Sequence, residues 1–263
     1  MAIDRRMDSD RVDRTSGLLL LFERSGRPNA ADVRAAVERL AGVSISHDPS
    51  AALHDVALPQ PDTSWLELLC NGMTYDLTNL APGKWANIPD IRSSIDLPDD
   101  LFETIQDAIS LLAGPHLSGG INSIPVVRMM LELAASLASV LPRIRAICWS
   151  PAAVVIRPEV FGQSVESWVK GGPYPTQVLT GFKKMSDGGL QTEGLGFFTG
   201  QEIRIELDSI GDVPTATQLA GRLVQQLVQH GPLNQTEEVI APDGSQMRLE
   251  PSGNKKFVCI WRS

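Results

Sequence analysis

The chain has 263 residues, 43% of them hydrophobic and 21% charged, enough for one large or two modest domains that bury a core without metal or disulfide support. Its formal net charge of -8 opposes the sequence-independent attraction to phosphate backbones, so no nucleic-acid partner is expected. No run approaches the ~20 apolar residues of a membrane helix, since the nearest candidate, Val126–Leu141, is interrupted by Arg128 and Glu132; no membrane partner is expected either.

In chain order, residues 1–14 (MAIDRRMDSDRVDR) mix Asp and Arg without an apolar signal-peptide core. They read as a disordered, solvated tail on a cytoplasmic protein. Gly17–Glu23 (GLLLLFE), followed by Ser25, Gly26 and Pro28, has the continuous apolar character of a strand buried on both faces. Asn29 caps a helix in which Val33, Ala36, Val37 and Leu40 recur at helical spacing before Gly42. Val43–Ser46 offers a second strand, and Trp65–Cys70 and Met73–Leu77 flank Asn71-Gly72 as a hairpin. These elements make an N-terminal α/β half over 15–80. Ala81–Asp100, rich in Pro, Asp and Ser and without periodicity, reads as a linker over 81–100. Within it Gly83-Lys84 lacks the upstream glycine of a phosphate loop, and Trp85 stands where that loop needs Ser or Thr.

Leu101–Ala113 shows helical spacing, with Leu101, Ile105, Ala108, Ile109 and Leu112 on one face. Pro125–Leu141 is a second helix, and Pro115–Ser123 between them departs from the hydrophobic strand expected there. Ile144–Ser150 and Ala152–Ile156 form a strand region broken at Pro151, and Pro158 opens a helix through Lys170. Thr176–Lys183 and Glu202–Leu207 read as strands on either side of a glycine-rich centre. Thr215 and Gln218 form a capping box for a helix that ends at Gly231-Pro232. Glu237–Ile240 and Met247–Leu249 flank Pro242-Asp243-Gly244, and Phe257–Arg262 is a last strand. The pattern is α+β, with two ferredoxin-like halves whose largely antiparallel sheets are covered by helices, and 101–263 packed as one compact unit.

Candidate chemistry gathers near the glycine-rich centre. Alternation along Glu202–Leu207 puts Ile203, Ile205 and Leu207 on one face and Glu202, Arg204 and Glu206 on the other, as a half-buried strand with a charge-paired face requires. The sharper alternative places Glu193, Glu202 and Arg204 around the turn Gly194–Gly200 as a ligand or partner surface, or as a carboxylate acid-base pair. The glycines lack dinucleotide spacing, and positive-φ turns explain them. Cys70, Cys148 and Cys259 read as reduced core thiols, and His47-Asp48 and His54-Asp55 as surface loop. His116 and His230 have no identifiable nucleophile partner, and Gly162-Gln163-Ser164 lacks the final glycine of a hydrolase elbow. No catalytic residue, metal ligand or cofactor motif emerges.

The second half carries the succession IRAICWSPAAVVIRPEVF, TEGLGFFTGQEIRIEL and TATQLAGRLVQQLVQHG, with Thr192, Gly194-Leu195, Phe198, Gly200 and Glu202 in the pattern T-x-G-L-x-x-F-x-G-x-E. On these residues Ile144–Ser263 resembles a bacterial family catalogued only as a domain of unknown function. The resemblance implies a bacterial source and brings no catalytic residue. The expected function is a soluble binding or protein-interaction module of accessory or immunity type, with a possible protein partner. A hydrolase or transferase using Glu193 or Glu202 is the alternative.

Overall fold

The apolar run Leu18–Glu23 forms β1, and its first five side chains are buried, as a strand covered on both faces demands. The structure, a computed structural model, describes residues 17–49, 64–206, 213–241 and 243–262. His54-Asp55, Leu207, Pro242 and the tail at 1–14 lie outside the described residues.

Around β1 the first sheet assembles from β2 (Val43–His47), β3 (Leu66–Cys70), β4 (Met73–Thr78), β5 (Ser93–Ile95), β6 (Ile105–Ala113), β7 (Ile144–Trp149) and β8 (Val154–Ile156). The order is β2-β3-β4-β6-β1-β7-β8-β5, antiparallel except where β5 joins β8 in parallel. Three helices cover one face: α1 (Ala30–Val37), α3 (Ile124–Val140) and α4 (Pro158–Val169), with the four-residue α2 (Leu101–Thr104) lying elsewhere. Asn29 caps α1 in a reciprocal box with Asp32. From the helices Val33, Ala36, Met130, Leu131 and Leu137 meet Leu18, Leu20 and Phe22 in the main core.

The opposite face of this sheet is also covered. Leu19, Leu21, Ala108, Ala146, Cys148 and Val155 pack under Ala86 and Leu101, with Ile88, Ile91 and Leu97 around them. Ala81–Asp100 thus lies across the sheet and supplies its edge strand β5, so its apolar residues contribute burial even though they follow no period.

The second sheet comprises β9 (Gly181–Lys184), β10 (Leu190–Glu193), β11 (Glu202–Ile205), β12 (Glu237–Ile240), β13 (Gln246–Pro251) and β14 (Phe257–Arg262). Its order is β12-β13-β14-β11-β10-β9, and β11 runs parallel to β14 while the other neighbours are antiparallel. Two four-residue helices, α5 (Thr176–Leu179) and α6 (Gly196–Thr199), and the long α7 (Val213–His230) complete the chain. Ala216, Leu219, Ala220, Leu223, Val224 and Leu227 form the buried stripe of α7, which packs on β10 and β11. The other face of the sheet is solvent-facing: Arg248 and Trp261 are exposed and Arg204, Glu250, Phe257 and Cys259 half-buried. The fold is therefore α+β, with two multi-stranded sheets each flanked by helices. No described helix is long and apolar enough to cross a membrane.

Four local expectations need correction. Only Leu101–Thr104 of the segment read as a helix is helical; Ile105–Ala113 is a strand between β4 and β1. Its side chains from Asp107 to Leu111 are all buried, so the two-residue alternation that would have marked a strand is lost. The strand expected at Thr176–Lys183 begins as α5, with β9 starting only at Gly181. Thr215 is not the cap of α7, because the helix already includes Val213. Cys259 is not a core thiol: Val258 and Ile260 take the buried face of β14, so Cys259 points to the open one.

Candidate functional site

The pattern T-x-G-L-x-x-F-x-G-x-E folds into one hydrogen-bonded turn between β10 and β11. The chain leaves β10 through Gly194 at φ 95°, buries Leu195 completely, makes the single turn of α6, and ends it on Gly200 at φ 76°. Both glycines occupy a region of φ that L side chains enter at a cost. At Gly194 space is also missing, since a Cβ there would stand 2.6 Å from the Ala152 Cβ and 3.0 Å from the Leu179 carbonyl oxygen. The β10–α6 turn is thus packed tightly against the Ala152 turn that joins β7 to β8, and against the end of α5.

Glu202 closes the turn. Its Oε1 accepts the backbone N–H groups of Gly194 at 2.9 Å and Gly196 at 2.8 Å. Its Oε2 accepts the Thr192 hydroxyl at 2.7 Å, and that hydroxyl oxygen in turn accepts the Ile203 N–H at 2.7 Å. Burial pushes the Glu202 carboxyl above the usual range, while the bonds from Thr192, Gly196 and Gly194 pull it the other way. Next to it Gln201 is buried and bonds both the N–H and the carbonyl of Leu233, tying the exit of α7 to the turn. Phe198 packs near the Trp149 and Tyr174 rings, at centroid distances of 6.2 and 5.8 Å. Every residue of the pattern thus has a structural duty.

The three candidate side chains have three separate partners. Glu202 serves the turn, Glu193 pairs with Arg92 at 3.8 Å across to the first sheet, and Arg204 pairs with Asp187 in the β9–β10 turn. No described hydrogen bond or ion pair joins one of the three to another. Arg204 and Glu206 instead border a shallow depression of about 480 Å³ on the open face of the second sheet, together with Asn254, Phe257, Cys259 and Trp261.

The described histidines, His47, His116 and His230, are similarly accounted for. His47 stacks on Trp65 with centroids 5.2 Å apart, Asp48 pairs with Arg34, and His116 lies 3.3 Å from the Thr74 hydroxyl. His230 donates from Nδ1 to the Gln226 carbonyl at 3.0 Å. Among the described residues no three His, Cys, Asp or Glu side chains are placed to hold a metal ion. No family model, curated protein or solved structure matches the chain.

Two groups of residues were not read as sites from sequence. One is the aromatic face of β14, where Phe257 and Trp261 lie four residues apart and therefore on one side of the strand; an apolar strand beside a cysteine points Trp261 to the core, yet it is 39% exposed, and the period-two pattern was the available signal. The other is a second concavity bounded by Arg24, Arg27, Trp85, Gln106 and Asp107. Its members come from three distant segments, and no local pattern connects them.

Proposed function

We propose that the chain is a protein-interaction module that docks a partner on the open face of the second sheet. One observation carries this reading: β14 presents Trp261, 39% exposed, with Arg248 directly across the strand pair, beside Phe257 and Cys259. Tryptophan and arginine are the side chains most enriched at energetically dominant interface positions. Arg248 is held in place by Glu250 at 3.4 Å, and the bordering charges Arg204 and Asp187 are already paired, which suits a polar rim around that centre. The alternative, a hydrolase or transferase acting through Glu193 or Glu202, has less support because protein donors occupy both carboxylates.

In this reading the first sheet is the scaffold. The run β4-β6-β1-β7, with α1 following β1 and α3 joining β6 to β7, supports a ferredoxin-like core into which β2 and β3 are inserted. The setting proposed is the bacterial cytoplasm, in an accessory or immunity-type role.

The test is affinity capture from bacterial lysate with the wild type, Trp261→Ala and, as a control on the other sheet, Trp85→Ala. A partner retained by the wild type and Trp85→Ala, and reduced at least about tenfold by Trp261→Ala, is the expected result. Hydrogen exchange should then show protection of Gln246–Pro251 and Phe257–Arg262 in the complex. Equal capture by the wild type and Trp261→Ala, or no saturable capture, overturns the reading.

A further inference from the structure

At the end of β1 the backbone turns through Ser25 at φ 58° and delivers Arg27 to a buried position. The Arg27 side chain is only 9% exposed and that of Asp107, from β6, 10%. One Arg27 terminal nitrogen donates to the Asn79 carbonyl at 2.5 Å and the other to the Gly83 carbonyl at 2.8 Å. Its Nε lies 3.7 Å from Asp107 Oδ2 and has no hydrogen-bond partner among the described residues. The same Oδ2 accepts the Ser25 N–H at 2.8 Å. The Arg27 guanidinium therefore clamps the loops at 24–28 and 79–84 together while Asp107 balances its charge, and losing either partner would leave an uncompensated buried charge.

Above this floor is a cleft of about 350 Å³ lined by Arg24, Ser25, Trp85 and Gln106 as well as the pair itself. Trp85 is 61% exposed, an unusual place for the largest apolar side chain. Its backbone is pinned on both sides: the Lys84 carbonyl accepts from Asn79 Nδ2 at 3.1 Å, and the Ala86 N–H donates to the Ala108 carbonyl at 2.9 Å. The indole is thus presented from a fixed support. Arg24 makes no ion pair among the described residues. With the Asp107 carboxylate occupied by Ser25 and Arg27, the lining sets two guanidinium groups against one carboxylate. The net charge of -8 on the whole chain does not reverse this local sign, because exposed charges more than about 8 Å away are largely screened at physiological salt.

We propose that this cleft binds a small aromatic anion, its ring stacked on Trp85 and its phosphate or carboxylate held by Arg24. The ring face satisfies the indole, and a planar guanidinium is the side chain best shaped for either anion. Gln106 and Ser25 supply hydrogen-bonding groups at the edge of the cleft. The volume lies at the lower end of the range for small-molecule sites, enough for one ring system and one charged group. The site lies on the first sheet and is independent of the partner surface proposed on the second.

Calorimetric titration at low salt with adenosine 5′-monophosphate and with indole-3-carboxylate tests the assignment, using adenosine and inorganic phosphate as the separated halves. At least one ring-bearing anion should bind saturably, and which one binds distinguishes phosphate from carboxylate recognition. Adenosine and phosphate should each bind at least about tenfold more weakly than a bound probe. Arg24→Ala and Trp85→Ala should each weaken binding about tenfold or more, while Trp261→Ala leaves it unchanged. Both Arg24 and Trp85 are exposed, so the variants should keep the wild-type thermal melt. The proposal is overturned if neither probe saturates below about 10 mM, if adenosine or phosphate alone binds as tightly as the best probe, or if binding survives either substitution.

Discussion

Replacing Gly194 with alanine isolates the tight packing of the β10–α6 turn against the Ala152 turn of the first sheet. At φ 95° an L side chain carries backbone strain of roughly 1–2 kcal/mol. The new methyl would also stand 2.6 Å from the Ala152 Cβ, 3.0 Å from its Cα and 3.0 Å from the Leu179 carbonyl oxygen, whereas carbon atoms in contact rest about 3.5–4.0 Å apart. Two of those atoms are backbone, so the turn at Ala152 or the end of α5 must shift, and overpacking of this kind costs about 1–3 kcal/mol. The sum is about 2–5 kcal/mol. Gly200→Ala is the matched control: φ is 76° and nothing lies within 4 Å of the added carbon, so only the strain of roughly 1–2 kcal/mol applies. Urea unfolding followed by tryptophan fluorescence and circular dichroism should place Gly194→Ala below Gly200→Ala by about 2 kcal/mol, or about 0.7 M in midpoint at a slope near 3 kcal/mol/M. Equal midpoints for the two variants would refute the close-approach explanation.

Three further outcomes follow from the same geometry. Thr192→Val removes both the donor to Glu202 and the acceptor of the Ile203 N–H, leaving two groups unpaired in a site where Thr192 is 1% exposed; the expected loss is about 2–4 kcal/mol, measured in urea, and a loss below about 1 kcal/mol would contradict it. Because burial raises the Glu202 carboxyl, the stability tied to its titration is fully present below the ordinary carboxylate range and is lost as pH rises through the raised value. Glu202→Gln lacks that loss, so its stability relative to wild type should improve as pH rises from about 4 to about 7; urea midpoints across that window check the sign. Burial pushes the Cys148 thiol up to about 12, so alkylation of the native protein near pH 8 should modify half-exposed Cys259 first, with Cys148 reacting only on unfolding. Peptide mapping that finds Cys148 labelled at the rate of Cys259 would count against the burial described.

Most of the element order is legible in the sequence where one face alone is buried or a terminus is marked. Asn71-Gly72 announces the β3–β4 turn, and Gly231-Pro232 the end of α7, because those residues perform backbone tasks others perform poorly. β6 is illegible for the opposite reason: with strands on both sides and cover on both faces, it has no polar side to set a period. The cover from Ala81–Asp100 is equally hidden, since Ala86, Ile88, Ile91 and Leu97 contact a sheet without repeating regularly along the chain. At the candidate site, alternation correctly separates Ile203 and Ile205 from Glu202 and Arg204. It says nothing of which partner each polar residue takes. The Thr192–Glu202 bond spans ten residues, and the Ser25–Asp107 contact beneath the cleft spans 82; contacts of that separation depend on sheet order, which local sequence does not encode.

The position of β14 has a consequence for how the protein is made. This strand emerges from the ribosome after every other strand of its sheet, yet it lies inside, with β13 on one side and β11 on the other. Until it arrives, β11 has an unpaired edge already bearing Ile203 and Ile205, and β12–β13 is an isolated hairpin with nothing to lean on. At about 5–20 residues per second, the stretch from β11 to Arg262 keeps that edge open for seconds. The nascent chain is most vulnerable to edge-to-edge aggregation in this interval, and a chaperone that shields β11 would act there rather than on the first sheet, whose strands are complete once Ile156 has been added.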